Sequence, residues 1–249
     1  MKKYLNAFLM CFTMFCAIPS PFHNWDEESR PLMTLFLPFV GAWIGLLWTL
    51  AAIAISYFNF PLFIGAIILT AYPYIITGGM HMDGYLDVVD AVKSWRDVEE
   101  KRRILKDPHV GSFAVISTVI LILAQFALFA SVRENANPYT LILIPTVSRC
   151  MAAICVTLLR PLSVSEYSGT YRKGIKKSHI VFLFILFALT VAAGFVFLGK
   201  YGFASLAVSA GYLVYLFRAF RSLGGMSGDI SGYSLVFGEL CGIAVYALI

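Results

Sequence analysis

Long apolar runs separated by short polar stretches dominate this chain. A helix needs about 20 mostly apolar residues to cross the hydrocarbon core of a bilayer. Residues 32–58, 62–80, 110–132 and 180–198 meet that requirement without a single charge. Residues 139–159 meet it apart from Arg149, and residues 230–249 apart from Glu239. The run 201–217 is shorter but has the same character. The pattern therefore predicts an all-α, polytopic transmembrane helix bundle of about seven spans. An eighth apolar segment, residues 4–18, is marginal: it is short and runs into Pro19 and Pro21. It reads as a span, a re-entrant piece or an interfacial helix. Lys2 and Lys3 ahead of it resemble the start of a signal peptide, but no small-residue cleavage site follows, so it is kept in the mature chain.

Composition agrees with that pattern. Of 249 residues, 59% are hydrophobic and 13% charged, against about 45–50% and about 25% in soluble domains. Nothing polar enough to form a separate soluble domain remains, so residues 1–249 read as one integral-membrane domain. The net charge of +5 is less informative than where the charges fall. Lys93, Arg96, Lys101, Arg102, Arg103 and Lys106 share one loop. Arg160, Arg172, Lys173, Lys176 and Lys177 share the next, and Arg218 and Arg221 a third. The opposite loops hold only Arg133 and Lys200. Thirteen basic residues against two predict that the three basic loops face the cytoplasm and that the C-terminus lies outside. No basic surface spans a folded domain, which excludes nucleic-acid binding. Residues 97–105 read as a short amphipathic helix at the membrane interface. Cys11, Cys16, Cys150, Cys155 and Cys241 form no CxxC pair and read as buried free thiols.

Candidate chemistry concentrates in Thr77-Gly78-Gly79-Met80-His81-Met82-Asp83-Gly84-Tyr85-Leu86-Asp87-Val88-Val89-Asp90. Asp83, Asp87 and Asp90 recur at i, i+4 and i+7, which aligns three carboxylates on one helix face. The intervening residues are apolar and the set lies where a span reaches the membrane face. That argues against a merely solvated face and for a hard divalent cation, Mg²⁺ above all. Gly78 and Gly79 are expected to interrupt the helix, letting a diphosphate approach the backbone and letting His81 turn towards the carboxylates as base, ligand or phosphate contact. Lys106 and Asp107 form a second polar group. Lys106 suits phosphate charge and Asp107 a metal or catalytic role, with a helix cap and a snorkelling lysine as the alternative. Arg149 should face the bundle interior, touching substrate or pairing with a carboxylate such as Glu239. Asp229, Gly232 and Glu239 share one face of the last span.

These motifs resemble, in order along the chain, those of the cobalamin synthase (adenosylcobinamide-GDP ribazoletransferase) family. Thr77–Asp90 resembles TGGxHxDGxxDxxD. Phe12 to Pro21 resembles the family's N-terminal apolar segment with paired prolines, and Leu37 to Gly45 its FPxxGxxIG segment. Lys106-Asp107 with Gly111 resembles KDxxxG, and Gly224-Gly225 with Gly228-Asp229 and Gly232 resembles GGxxGDxxG. Departures are Ala91 and Ala114 where glycine is usual, Val236 where a second acidic residue is usual, and a poorly matched stretch after Arg160.

The resemblance implies a reaction in which adenosylcobinamide-GDP donates to α-ribazole or its 5′-phosphate. Adenosylcobalamin or its 5′-phosphate and GMP leave, with Mg²⁺ as cofactor. It also implies a bacterial or archaeal cytoplasmic membrane. On that basis Asp83, Asp87 and Asp90 are expected to hold the metal. Gly78, Gly79, Arg149 and Asp229 are expected to bind substrate, and His81, Lys106 and Asp107 to act in catalysis. Self-association into a homo-oligomer is left open.

Other membrane chemistries fit less well. A CDP-alcohol phosphotransferase expects DGxxAR, and Asp87-Val88 stand at its last two positions. A helical prenyltransferase expects DDxxD pairs, and no two aspartates are adjacent. A transporter built on Asp, Glu and Arg remains a rival of another class, although such sites lie near the bilayer midplane and these residues gather towards one face.

Overall fold

The computed structural model describes residues 2–18, 25–162 and 175–249. Pro19, Pro21, Arg172 and Lys173, singled out above, lie outside the described residues. The described elements are α1 (Lys2–Phe15), a 3₁₀ turn (Arg30–Leu35), α2 (Leu37–Tyr57), α3 (Leu62–Ile76), α4 (Met80–Lys93), α5 (Val98–Ile104), α6 (Ser112–Ala130) and α7 (Thr140–Leu158). After the undescribed stretch come α8 (Lys177–Leu198), a second 3₁₀ turn (Gly199–Gly202), α9 (Phe203–Leu223) and α10 (Gly228–Leu248). Among the described residues there is no strand, only one isolated bridge between Pro161 and Met226.

Five stretches are long and apolar enough to cross a membrane, and six if α3 and α4, bent by 90° at their junction, count as one. Lys177–Leu223 counts once in that figure, although α8 and α9 are distinct helices around the 3₁₀ turn. The count of about seven is thus not reproduced as such. The first span also begins later than the hydropathy predicted, because residues 30–35 wind as a 3₁₀ turn introduced by Pro31. α1 has 14 residues. At ~1.5 Å rise per residue it is too short to cross a core ~30 Å thick, and it packs against the first 3₁₀ turn and α2.

α7 is the buried axis. Some 89% of its span is buried inside the protein, against 72% for α10 and 11% for Lys177–Leu223. α2, α8, α9 and α10 pack round α7, and α4 lies along α10. The outer helices keep Phe, Leu and Ile exposed, as on α8 with Val181, Ile185, Leu189 and Val196. Such surfaces suit hydrocarbon, where the apolar effect that buries them in water is absent. Cys11, Cys16, Cys150 and Cys155 are buried free thiols and Cys241 is half-buried and free.

α5 forms close to where the amphipathic pattern placed it. Asp97 caps it by accepting from the Glu100 N–H at 2.9 Å. Lys101 reaches Ser222 Oγ at 2.9 Å and Arg102 Nε donates to the Leu223 carbonyl at 2.8 Å. Two cations thereby close the C-terminus of α9, the negative end of its dipole.

Candidate active site at the junction of α4 and α10

The site begins with the turn between α3 and α4. Gly78 and Gly79 adopt φ of 62° and 75°, a left-handed geometry that side-chain-bearing residues rarely adopt. Space beside Gly79 is open: nothing lies within 4 Å of where a Cβ would stand. The turn sends α4 off at 90° to α3. It also ends before Met80, so His81 is already helical. At ~100° per residue His81 points about 200° away from Asp83. The expected turn of the imidazole towards the carboxylates does not occur, because the break falls ahead of the histidine.

Asp83 is exposed and Asp87 half-buried on the α4 face. Between them Gly84 meets the first turn of α10 so closely that a Cβ there would stand 2.8 Å from Asp229 Cα. Asp229 is thereby brought beside the α4 carboxylates. Asp87 lies within electrostatic reach of Asp83, Asp229 and Asp90, and Asp229 within reach of Asp83. α10 starts here because Ser227 Oγ accepts the Ile230 N–H at 3.2 Å as an N-cap. The segment ahead of it is fixed by Met226 N–H to the Arg160 carbonyl and Leu162 N–H to the Met226 carbonyl, both 2.8 Å. Asp229 was noted in the sequence only as a substrate contact. Its place among the carboxylates depends on how two distant helices pack, which no local pattern records.

Asp90 does something else. Its buried carboxylate accepts the Gly111 N–H at 2.5 Å and the Ala114 N–H at 2.8 Å, capping α6 from a neighbouring helix. A Cβ at Gly111 would stand 2.7 Å from Asp90 Oδ2, so the glycine makes room for the carboxylate. Both of its oxygens are thus engaged, whereas among the described residues no hydrogen bond holds Asp83 or Asp87 by its side chain in the same way.

On the far side of α4 lies a cavity of about 720 Å³ between α1, the first 3₁₀ turn, α7 and α10. His81, Lys106, Arg149 and Asp229 line it. The His81 ring stacks on Phe15 with centroids 6.0 Å apart, and its Nε2 is buried without a hydrogen-bond partner. Arg149, only 2% exposed, forms an ion pair with Glu239. Glu239 Oε1 also accepts from Ser148 Oγ at 2.8 Å. Arg149 Nε faces no partner. The pairing expected for Arg149 is thus with Glu239, and Arg149 also lines the cavity.

Lys106 is exposed at the cavity edge. Asp107 accepts from the His109 N–H at 3.0 Å and contacts His109 Nδ1 at 2.7 Å. These bonds, the backbone one foremost, hold its carboxyl below the usual carboxylate range. It lines neither the cavity nor the α4–α10 contact.

Whether these residues fit Mg²⁺ depends on donor chemistry. Among the described residues no three of His, Cys, Asp and Glu converge into a ready-made metal centre. Mg²⁺ does not demand one, since it binds through one or two carboxylates plus substrate phosphates and keeps several waters. Asp83, Asp87 and Asp229 supply hard oxygens, and their mutual repulsion would be relieved by a cation.

With this geometry in hand, comparison with known proteins is decisive. The family described as cobalamin-5-phosphate synthase matches residues 7–247. The chain belongs to that family. An adenosylcobinamide-GDP ribazoletransferase of Clostridium perfringens strain 13 is 37% identical over the full length of both chains. One from Clostridium botulinum strain Alaska E43 is 36% identical over 98% of this chain and 97% of its own. One from Lachnoclostridium phytofermentans is 29% identical over 98% and 94%. No solved structure matches significantly. Cobalamin-5-phosphate synthase membership covers the carboxylate face, the cavity and the Arg149–Glu239 pair alike, since all lie between residues 7 and 247.

Proposed function

We propose that this chain is an adenosylcobinamide-GDP ribazoletransferase that joins adenosylcobinamide-GDP to α-ribazole or its 5′-phosphate. The ribazole 3′-hydroxyl attacks the phosphorus bonded to cobinamide, a new phosphodiester forms, the diphosphate P–O bond breaks and GMP leaves. The observation that supports the reading is the contact of Gly84 with Asp229, which brings Asp229 within electrostatic reach of Asp83 and Asp87. One or two of these carboxylates, together with the substrate phosphates, would hold Mg²⁺, which when bound supplies charge neutralisation for the diphosphate and the leaving GMP. Asp90 is assigned instead to the cap of α6, where both of its oxygens are engaged.

The open, glycine-lined turn at Gly78–Gly79 leaves room for the donor diphosphate against the backbone. Lys106 offsets negative charge on the transferred group. That His81 and Asp229 line the cavity supports a role for them in taking the hydroxyl proton. Asp107 keeps a local role in the turn before α6. The chain sits in a bacterial or archaeal cytoplasmic membrane, and the thirteen-to-two distribution of basic residues favours this junction facing the cytoplasm.

The test uses detergent-purified protein, adenosylcobinamide-GDP, α-ribazole 5′-phosphate and Mg²⁺. Coupled release of GMP and a cobalamin phosphate, abolished by EDTA, is the expected result. A folded protein that yields neither product refutes the reading.

A further inference from the structure

The cavity beside His81 is larger than phosphoryl chemistry needs, and most of its wall is apolar: Met14, Phe15, Met33, Leu37, Ala152 and Val156 face it. We propose that this cavity is the acceptor pocket, taking a nucleoside or nucleotide with a flat, apolar, fused-ring base. The proposal rests on the transferase reading above and adds where, and by what chemistry, the acceptor is held.

Four observations converge. Asp229 lines the cavity and also lies within electrostatic reach of the α4 carboxylates. Asp229 therefore links the cavity to the carboxylate face, where a ribose hydroxyl at the rim would meet the diphosphate. The volume of about 720 Å³ lies within the ~300–1,000 Å³ of small-molecule pockets. It has room for one nucleotide.

Two buried nitrogens on the wall, His81 Nε2 and Arg149 Nε, have no hydrogen-bond partner among the described residues. Leaving such groups unpaired is unfavourable, and a ligand bearing ring-nitrogen or ribose-oxygen acceptors would satisfy them. Finally, Phe15 stacked on His81 at an interplanar angle of 23° offers a flat π-surface to a fused-ring base. Lys106 puts a cation at the cavity edge, which suits a phosphate-bearing ligand and not a lipid acyl chain.

The wall of α7 gives the test. Ala152 and Val156 stand one and two turns on from Arg149, and both are nearly buried. Binding of α-ribazole 5′-phosphate to the full-length purified protein, without donor, is measured for the parent, Ala152→Phe and Val156→Phe. Steady-state constants for both substrates are measured alongside. Filling the cavity should raise the acceptor Kd and KM about tenfold or more, while the donor KM stays within about twofold.

Folded variants that bind the acceptor like the parent, or that shift the donor KM instead, overturn the proposal. Should the variants not fold, competition in the parent decides. Ribose 5-phosphate, which lacks a base, should compete about tenfold or more worse than the benzimidazole nucleotide; equal competition overturns the pocket. Absence of any GMP release from the parent would refute the transferase reading itself, which this binding measurement does not require.

Discussion

The two halves of α4 carry the same residue type and do different work. Asp83 and Asp87, on the side towards the Gly78–Gly79 turn, flank Gly84, where α4 meets the first turn of α10. Asp90, one turn further on, is drawn out of that set by two backbone N–H groups of α6. Helical periodicity puts all three on one face. What each meets depends on the element lying over that part of the face: α10 over the first half, the start of α6 over the second. A backbone cap occupies lone pairs that a metal would otherwise use, and periodicity alone does not distinguish a capping carboxylate from a free one.

Substitution sharpens this contrast. Asp83→Asn should show the largest effect, a fall in transfer activity on the order of 100-fold or more, with an unchanged melting temperature. Asp90→Asn losing activity equally, with full stability, would break the comparison. The other buried carboxylate extends it: Glu239→Ala strands the Arg149 guanidinium in the bundle and should destabilise by about 3–5 kcal/mol, read by thermal unfolding in detergent.

Asp90→Ala leaves two buried N–H groups unsatisfied and should cost about 2–3 kcal/mol, activity falling only with the folded fraction. Gly84→Ala forces α4 and α10 apart where a Cβ would stand 2.8 Å from Asp229 Cα. A cost of about 1–3 kcal/mol is expected, with a rise in the Mg²⁺ concentration needed for half-maximal rate. Smallest is Asp107→Asn. Because the folded carboxyl sits below its unfolded value, its stabilising effect is full above the usual carboxylate range. It disappears as pH falls through the folded value. The side chain is exposed, so only a slight acid-side loss of melting temperature is expected in the parent, absent from the variant.

A second contrast concerns the spans. α7 and α8 both read as apolar runs, yet the first is enclosed and the second mostly faces outwards. Arg149 was the informative residue: a charge within an apolar run must face the protein interior, and α7 is the innermost helix. The absence of charge in 180–198 is compatible with a lipid-facing position but does not require one. The segment before α2 was misread as continuous helix because hydropathy averages over a proline-led 3₁₀ turn.

At the site, the aspartate motif, the glycine turn, Arg149 and Lys106 were legible as residues of interest. The His81 direction was not, since it depended on which residue ended the turn, a matter of one peptide unit.

By itself the sequence determined an all-α chain rich in membrane-length helices, the asymmetry of its basic loops, and an ordered set of motifs placing it in one family. These follow from composition and local spacing, which are properties of contiguous residues. Tertiary structure decided that Asp229 joins Asp83 and Asp87, that Asp90 caps α6, that Arg149 meets Glu239, and that a largely apolar cavity opens behind His81. Each of those depends on residues 20 or more positions apart, brought together by helix packing. No local period encodes which face of one helix will lie against which turn of another.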